Sequence, residues 1–122
     1  KKNLSKSDIK NINKIKNITN EMKKYLLLGD FDKFGILLEK SWMLKKSNNK
    51  KVSNKYIDKI YNIAKQNGAE GGKLLGTGGG GYFLFYVKPY NKNELITSMK
   101  KLNLKIEKFT FDLDGLRSWK TI

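Results

Sequence analysis

The chain has 122 residues, a formal charge of +15 at neutral pH, 39% hydrophobic and 11% aromatic residues. That is enough for one domain with a packed core and too little for two of ordinary size. Cysteine and histidine are both absent, which excludes disulfides, thiol nucleophiles, histidine bases and most zinc sites.

No apolar run approaches the ~20 residues a membrane span needs, and the opening KKNLSKSDIK lacks the apolar stretch of a signal peptide. A cytoplasmic protein with no membrane association is expected. All 26 basic residues except Arg117 are lysine, and thirteen asparagines accompany them. Lysine, asparagine and isoleucine rising together, with arginine nearly absent, reads as an AT-rich coding composition that leaves a solvated lysine surface. A dedicated nucleic-acid face would favour arginine, whose planar fork suits phosphate and base edges.

In chain order, the first half is helical. Ile9, Ile12, Ile15, Ile18, Met22, Tyr25 and Leu26 recur at spacings of three and four, one stripe of a long helix. Gly29 stops it, and Asp30 can cap the next helix. Phe34, Leu37, Leu38 and Trp42 line one face of that second helix, which runs to about Lys46 before a polar loop at Ser47–Lys51. Ser53 is the expected cap of a third helix with Tyr56, Ile57, Ile60, Tyr61 and Ala64 on its apolar face, ended by Gly68.

The second half changes period. Lys73–Leu75 is a short extended piece, a glycine run follows, and Tyr82–Lys88 is a strand closed by Pro89. Asn91 with Glu94 forms an Asx variant of the capping box, opening a helix with Leu95, Ile96, Met99 and Leu102. Lys105–Asp112 reads as a strand, Asp114-Gly115 as a hairpin turn, and Leu116 to Lys120 as a last strand. The expectation is a single α+β domain over residues 1–122, with four strands in a mostly antiparallel sheet.

The run GGKLLGTGGGGYFLFY (residues 71–86) contains a literal G-x-G-x-x-G at Gly76, Gly78 and Gly81. A dinucleotide fingerprint needs a helix after its glycines, and YFLFYV is strand-like. A P-loop ends in G-K-[ST], and this loop ends Gly80-Gly81-Tyr82. A protein-kinase glycine loop requires an H-R-D catalytic loop, which a chain without histidine lacks. What remains is a backbone whose amides no side chain screens, suited to nesting an anion or to close approach by another segment; a flexible surface loop or a sheet bulge is the plainer alternative, against which apolar strand flanks the run on both sides.

Residues Gly68–Gly81, GAEGGKLLGTGGGG, resemble the third signature motif of the GHMP kinases, roughly G-A-x-G-(G/A)-K-(L/I)-(T/L)-G-(A/T)-G-G-G-G. Ser53 with YIDKIYNIAKQNGA is similar to the helix leading into that motif. LLEKSWMLKK (37–46) and the closing FDLDGLRSW (111–119) look most like the branch of D-glycero-D-manno-heptose 7-phosphate kinases. The resemblance covers nearly the whole chain, more weakly before about Asn20.

The resemblance implies the C-terminal half of a two-domain kinase, a ferredoxin-like domain with additional N-terminal helices. Its implied reaction moves the γ-phosphoryl of ATP to a sugar hydroxyl, the anomeric one of heptose 7-phosphate in the branch most resembled, en route to nucleotide-activated heptose. ATP and Mg²⁺ would be bound mainly by the N-terminal domain of the same parent chain. That domain would also carry the P-x-x-x-G-L-(G/S)-S-S loop and the acidic catalytic residue, so no catalytic residue or metal ligand is expected here. Gly76, Thr77, Gly78, Gly79, Gly80 and Gly81 would border the ATP phosphates; Thr77 stands where many members have alanine. A phosphorylated acceptor needs cationic anchors, for which Lys45, Lys46, Lys73 and Arg117 are candidates. Asp112 and Asp114 suit the hairpin better than a metal site.

Three rival readings stand beside this one. An RNA-binding module would use the charge and the aromatics of GGYFLFYV, yet Phe83-Leu84 after Tyr82 breaks the expected aromatic spacing and the chain opens on helices. A non-catalytic regulatory domain rests on fold analogy alone. A kinase of the same superfamily could also take another small acceptor.

Overall fold

The first helix, α1 (Lys6–Leu28), stops at Gly29, whose φ of +75° glycine adopts without strain. The Gly29 amide donates to the Leu26 carbonyl at 3.2 Å and the Asp30 amide to that of Tyr25 at 2.9 Å. This paired closure satisfies carbonyls the helix end would leave orphaned. Asp30 then caps α2 (Phe31–Asn48), accepting from the Lys33 amide at 3.2 Å. The computed structural model describes residues 5–75, 81–107, 109–111 and 119–121, with the last two stretches and Asp8 described by their backbone.

Together α1 and α2 bury Met22, Phe34, Leu37 and Leu38, with Ile18, Tyr25 and Leu26 packed against them. The stripe expected on α1 is thus buried in its second half; Ile9 and Ile12 are 48% and 38% exposed. Helix α2 also runs two residues past Lys46, and part of the expected polar loop is a 3₁₀ turn, Lys50–Val52. Helix α3 (Lys55–Gln66) is capped by Asn54, whose Oδ1 accepts from the Ile57 amide at 2.8 Å. Ser53, the expected cap, instead donates to Asp58 Oδ1 at 2.7 Å. Ile57, Ile60, Tyr61 and Ala64 are buried as expected, whereas Tyr56, expected on the same face, is exposed.

Strand β1 (Ala69–Leu75) begins four residues earlier than Lys73 and pairs antiparallel with β2 (Tyr82–Val87). The register sets Gly71 opposite Tyr86, Gly72 opposite Phe85, Lys73 opposite Leu84 and Leu74 opposite Phe83. Directly paired residues share a face, so Gly71, Lys73, Leu84 and Tyr86 look one way, and Gly72, Leu74, Phe83 and Phe85 the other. Helix α2 covers the first face. There Gly71 lies so close that a Cβ on it would collide with the Gly35 carbonyl oxygen. Helices α3 and α4 (Lys92–Lys101) cover the second, where Ile60, Ala64, Leu95 and Met99 enclose Phe83 and Phe85. Both faces of the apolar YFLFYV strand are therefore occupied, as its composition requires.

Asn91 was expected to cap α4 and does not: its backbone is helical, in the 3₁₀ turn Pro89–Asn91, and its side chain makes no capping bond. Its Cβ packs instead against Gly68, where a side chain would strike it. Strand β3 (Phe109–Phe111) pairs antiparallel with β4 (Trp119–Thr121), both shorter than expected; the Asp114-Gly115 turn lies outside the described residues. The architecture is α+β. Among the described residues the strands form two separate two-stranded sheets, β1-β2 and β3-β4, so the expected four-stranded ferredoxin-like sheet is not confirmed. Beside β2 an apolar cavity of about 520 Å³ stays open, lined by Phe83, Phe85, Leu95, Met99 and Ile106 among others.

Candidate functional site

Strand β1 leads directly into the glycine run. Of the six loop candidates, Gly76, Thr77, Gly78, Gly79 and Gly80 lie outside the described residues. Gly81, where the chain re-enters β2, is exposed with φ of +120°, a backbone conformation that favours glycine. Arg117 and the aspartates at 112 and 114 also lie outside the described residues.

Three of the four cationic candidates are described, and the structure sorts them. Lys73 leaves β1 on the face toward α2, and its Nζ donates to Ser41 Oγ at 2.8 Å. Ser41 is fully buried. Burial lowers the Lys73 pKa, and the charge of Lys45 lowers it further. Lys45 stands one helical turn beyond Ser41, so the two occupy one side of α2. Lys46 is committed elsewhere: its Nζ lies 3.0 Å from Asp58 Oδ1 and 5.9 Å from the centroid of the buried Trp42 ring. A hydrogen bond from Ser53, then one from Lys46, holds the Asp58 carboxyl below its usual value.

Two residues before Ser41 on α2, Glu39 accepts from Tyr61 Oη at 2.5 Å and pairs with Lys65 Nζ at 3.0 Å. Burial alone would raise the Glu39 pKa, yet the hydrogen bonds from Tyr61 and Lys65 outweigh it and the net shift is downward. Tyr61 is pushed well up, by burial first and then by Glu39. Lys65 also donates to the Glu70 carbonyl at 3.1 Å. This network ties α2, α3 and β1 together behind the Lys73 site.

The structure thus sets Lys73 on Ser41, one turn from Lys45 and within reach of its charge, and pairs Lys46 with Asp58. It adds Ser41, which sequence reasoning missed. The signal was present: Ser41 interrupts the apolar stripe of Phe34, Leu37, Leu38 and Trp42 four residues before Lys45. Among the described residues no three carboxylates converge as a metal site would need, and no helix is long and apolar enough to cross a membrane.

The family model for the C-terminal region of GHMP kinases matches residues 22–103. The chain belongs to the GHMP kinases. A D-glycero-alpha-D-manno-heptose 7-phosphate kinase of Campylobacter jejuni is 38% identical over 100 residues, which make up 82% of this chain and 30% of that relative. The chain therefore spans less than a third of the relative's length. The crystal structure of L. major mevalonate kinase in complex with R-mevalonate is similar in fold, with a TM-score of 0.60 at 24% identity, over 70% of this chain and 26% of that one. The match takes in α2, α3, both strands of the β1-β2 sheet and α4.

Proposed function

We propose that the parent of this domain is an ATP-dependent sugar kinase acting on D-glycero-D-manno-heptose 7-phosphate, with the γ-phosphoryl passing to the anomeric hydroxyl. The observation that carries the reading is the 38% identity to a heptose 7-phosphate kinase along 82% of the chain. Phosphoryl transfer of this kind is mostly positioning and charge neutralisation. The residues described here fit a supporting share of that work: β1 presents the glycine run, and Lys45 and Lys73 add positive charge beside it. On this reading the metal and most of the nucleotide belong to the N-terminal domain, this domain's partner, in a cytoplasmic enzyme without nucleic-acid or membrane ligands.

The same reading accounts for the open groove beside β2. Residues 104–107 line it, ahead of β3 in the chain; on this reading β3 and β4 would cover the groove and extend the sheet to four strands.

The test is to express the parent chain and follow ADP release and the ³¹P spectrum with heptose 7-phosphate. A new anomeric phosphate is expected from the parent and none from the 122-residue domain alone. Turnover by the isolated domain would overturn the division of labour. A parent that phosphorylates unphosphorylated heptose equally well would overturn the substrate.

A further inference from the structure

We propose that Lys45 and Lys73 form a two-pronged clamp for a phosphate monoester dianion carried by one of the reactants, with Ser41 holding Lys73 in position. The kinase reading above supplies the identity of the ligand; the clamp itself is inferred from the arrangement of charges.

Two cations from different elements converge here. Lys73 comes from β1, and Lys45 from the last turn of α2 on the side that carries Ser41. They are close enough for Lys45 to oppose the charging of Lys73. A carboxylate between them would relieve that repulsion, yet the described ion pairs are Lys33–Asp30, Lys46–Asp58 and Lys65–Glu39, and include neither residue. Glu39 on α2 and Asp58 on α3 are each taken by another lysine, and Asp32, in the first turn of α2, accepts from the Tyr86 hydroxyl. A half-buried ammonium facing a second one is unfavourable unless an anion joins them.

The chemistry of the prongs selects the anion. Each ammonium offers three donors around a compact charge, which serves a phosphate as a point charge without needing a planar fork. A phosphate monoester carries roughly −1.5 to −2 charges near neutral pH, matching two lysines; a carboxylate would leave one uncompensated. Position agrees. Lys73 lies two residues before the end of β1 at Leu75, just ahead of the glycine run in the sequence. The negative end of α2 works against an anion there, so neither lysine suffices alone, and losing either should cost nearly as much as losing both. Ser41 is the positioning residue: fully buried, it fixes the Lys73 amine by one hydrogen bond and touches no ligand.

The experiment uses the full-length parent with Lys45→Ala, Lys73→Met, the double variant, Ser41→Ala, and Lys46→Ala as control. Lys73→Met keeps the buried stem and removes the charge. Calorimetric titration with inorganic phosphate is expected to show each single lysine variant binding at least tenfold more weakly, about 1.4 kcal/mol, and the double variant little worse. In steady-state kinetics the KM of one reactant should rise by a similar factor with kcat changed less than threefold. A rise confined to the sugar phosphate identifies the acceptor's phosphate as the ligand, and one confined to ATP identifies the nucleotide's. Ser41→Ala should shift the same KM three- to fivefold, again with kcat held, and Lys46→Ala should leave both unchanged. Inorganic phosphate affinity unaltered in folded Lys45→Ala and Lys73→Met proteins overturns the clamp, even if the parent is a heptose 7-phosphate kinase. Conversely, phosphate affinity lost in both variants supports the clamp even if the parent transfers nothing to that sugar, in which case the substrate reading alone fails.

Discussion

Gly71 and Lys73 sit two residues apart on the same face of β1, and they meet α2 in opposite ways. At Gly71 the strand presents no side chain, and its backbone rests on that of Gly35. At Lys73 it presents a long charged side chain whose amine reaches the buried Ser41 hydroxyl. The first contact is close-packed and carries no chemistry. The second leaves a cation half out of water, which hydrophobic packing would not select for stability. Within about 7 Å of strand, the same interface passes from a position that holds the fold by close packing to one that leaves a charged amine partly buried against α2.

The comparison breaks most visibly at Gly71. Gly71→Ala drives a methyl into the Gly35 carbonyl, and neither partner can rotate away because both are backbone. Helix α2 must lift from β1, so the loss should reach or exceed about 3 kcal/mol, the upper end of ordinary overpacking. Urea denaturation measures it; a change below about 0.5 kcal/mol would mean that α2 does not rest on β1 as described. Tyr61→Phe is the next largest. It removes the 2.5 Å bond to Glu39, which lies on α2 between the two contacts and packs near Gly71. The expected cost is about 1.5 kcal/mol, typical of a hydrogen bond to a charged group. The Glu39 pKa is lowered from 4.5, so its contribution is present above that pH and is lost as pH falls through the folded value. In Tyr61→Phe this acid-side loss should shrink.

Much of this interface was legible in the sequence, and the exceptions share a cause. The α1-α2 turn could be read because Gly29 and Asp30 act through local backbone geometry. The buried stripes of α2 and α3 followed from helical periodicity. Gly71 and Gly72 were not recognised as strand, because glycine is a poor strand former; Gly71 is there because α2 crosses it from 36 residues upstream, and Gly72 because the Phe85 ring occupies the space a side chain would need. Ser53 and Asn54 are both good caps, and which one caps depends on Asp58 taking the Ser53 hydroxyl. At Asn91 the capping box gave way to close packing on Gly68. For the site, residue type offered Lys45, Lys46 and Lys73 as candidates alike. Which of them is already neutralised is a fact about neighbours, visible only once Asp58 and Trp42 are placed beside Lys46.

The smallest expected effect sharpens the comparison most, because it asks whether Lys73 contributes to the fold at all. Lys73→Met gives up the bond to Ser41 and leaves that hydroxyl buried, but it also removes a half-buried cation from the field of Lys45. These terms oppose each other, so stability should change by no more than about 1 kcal/mol at neutral pH. The pH dependence has a definite sign. Folding lowers the Lys73 pKa from 10.5, by burial and then by Lys45, so between the two values the unfolded chain binds the proton and the folded one releases it. Stability from this residue therefore rises with pH across that interval. The advantage of Lys73→Met over the wild type should be greatest at neutral pH and shrink as pH approaches 10.5. Other lysines and tyrosines titrate there too, and the difference between the two proteins cancels them where they are not coupled to Lys73. Parallel urea melts from pH 7 to 10.5 that show no convergence would place Lys73 in solvent, with no more claim on an anion than the rest of the lysine surface.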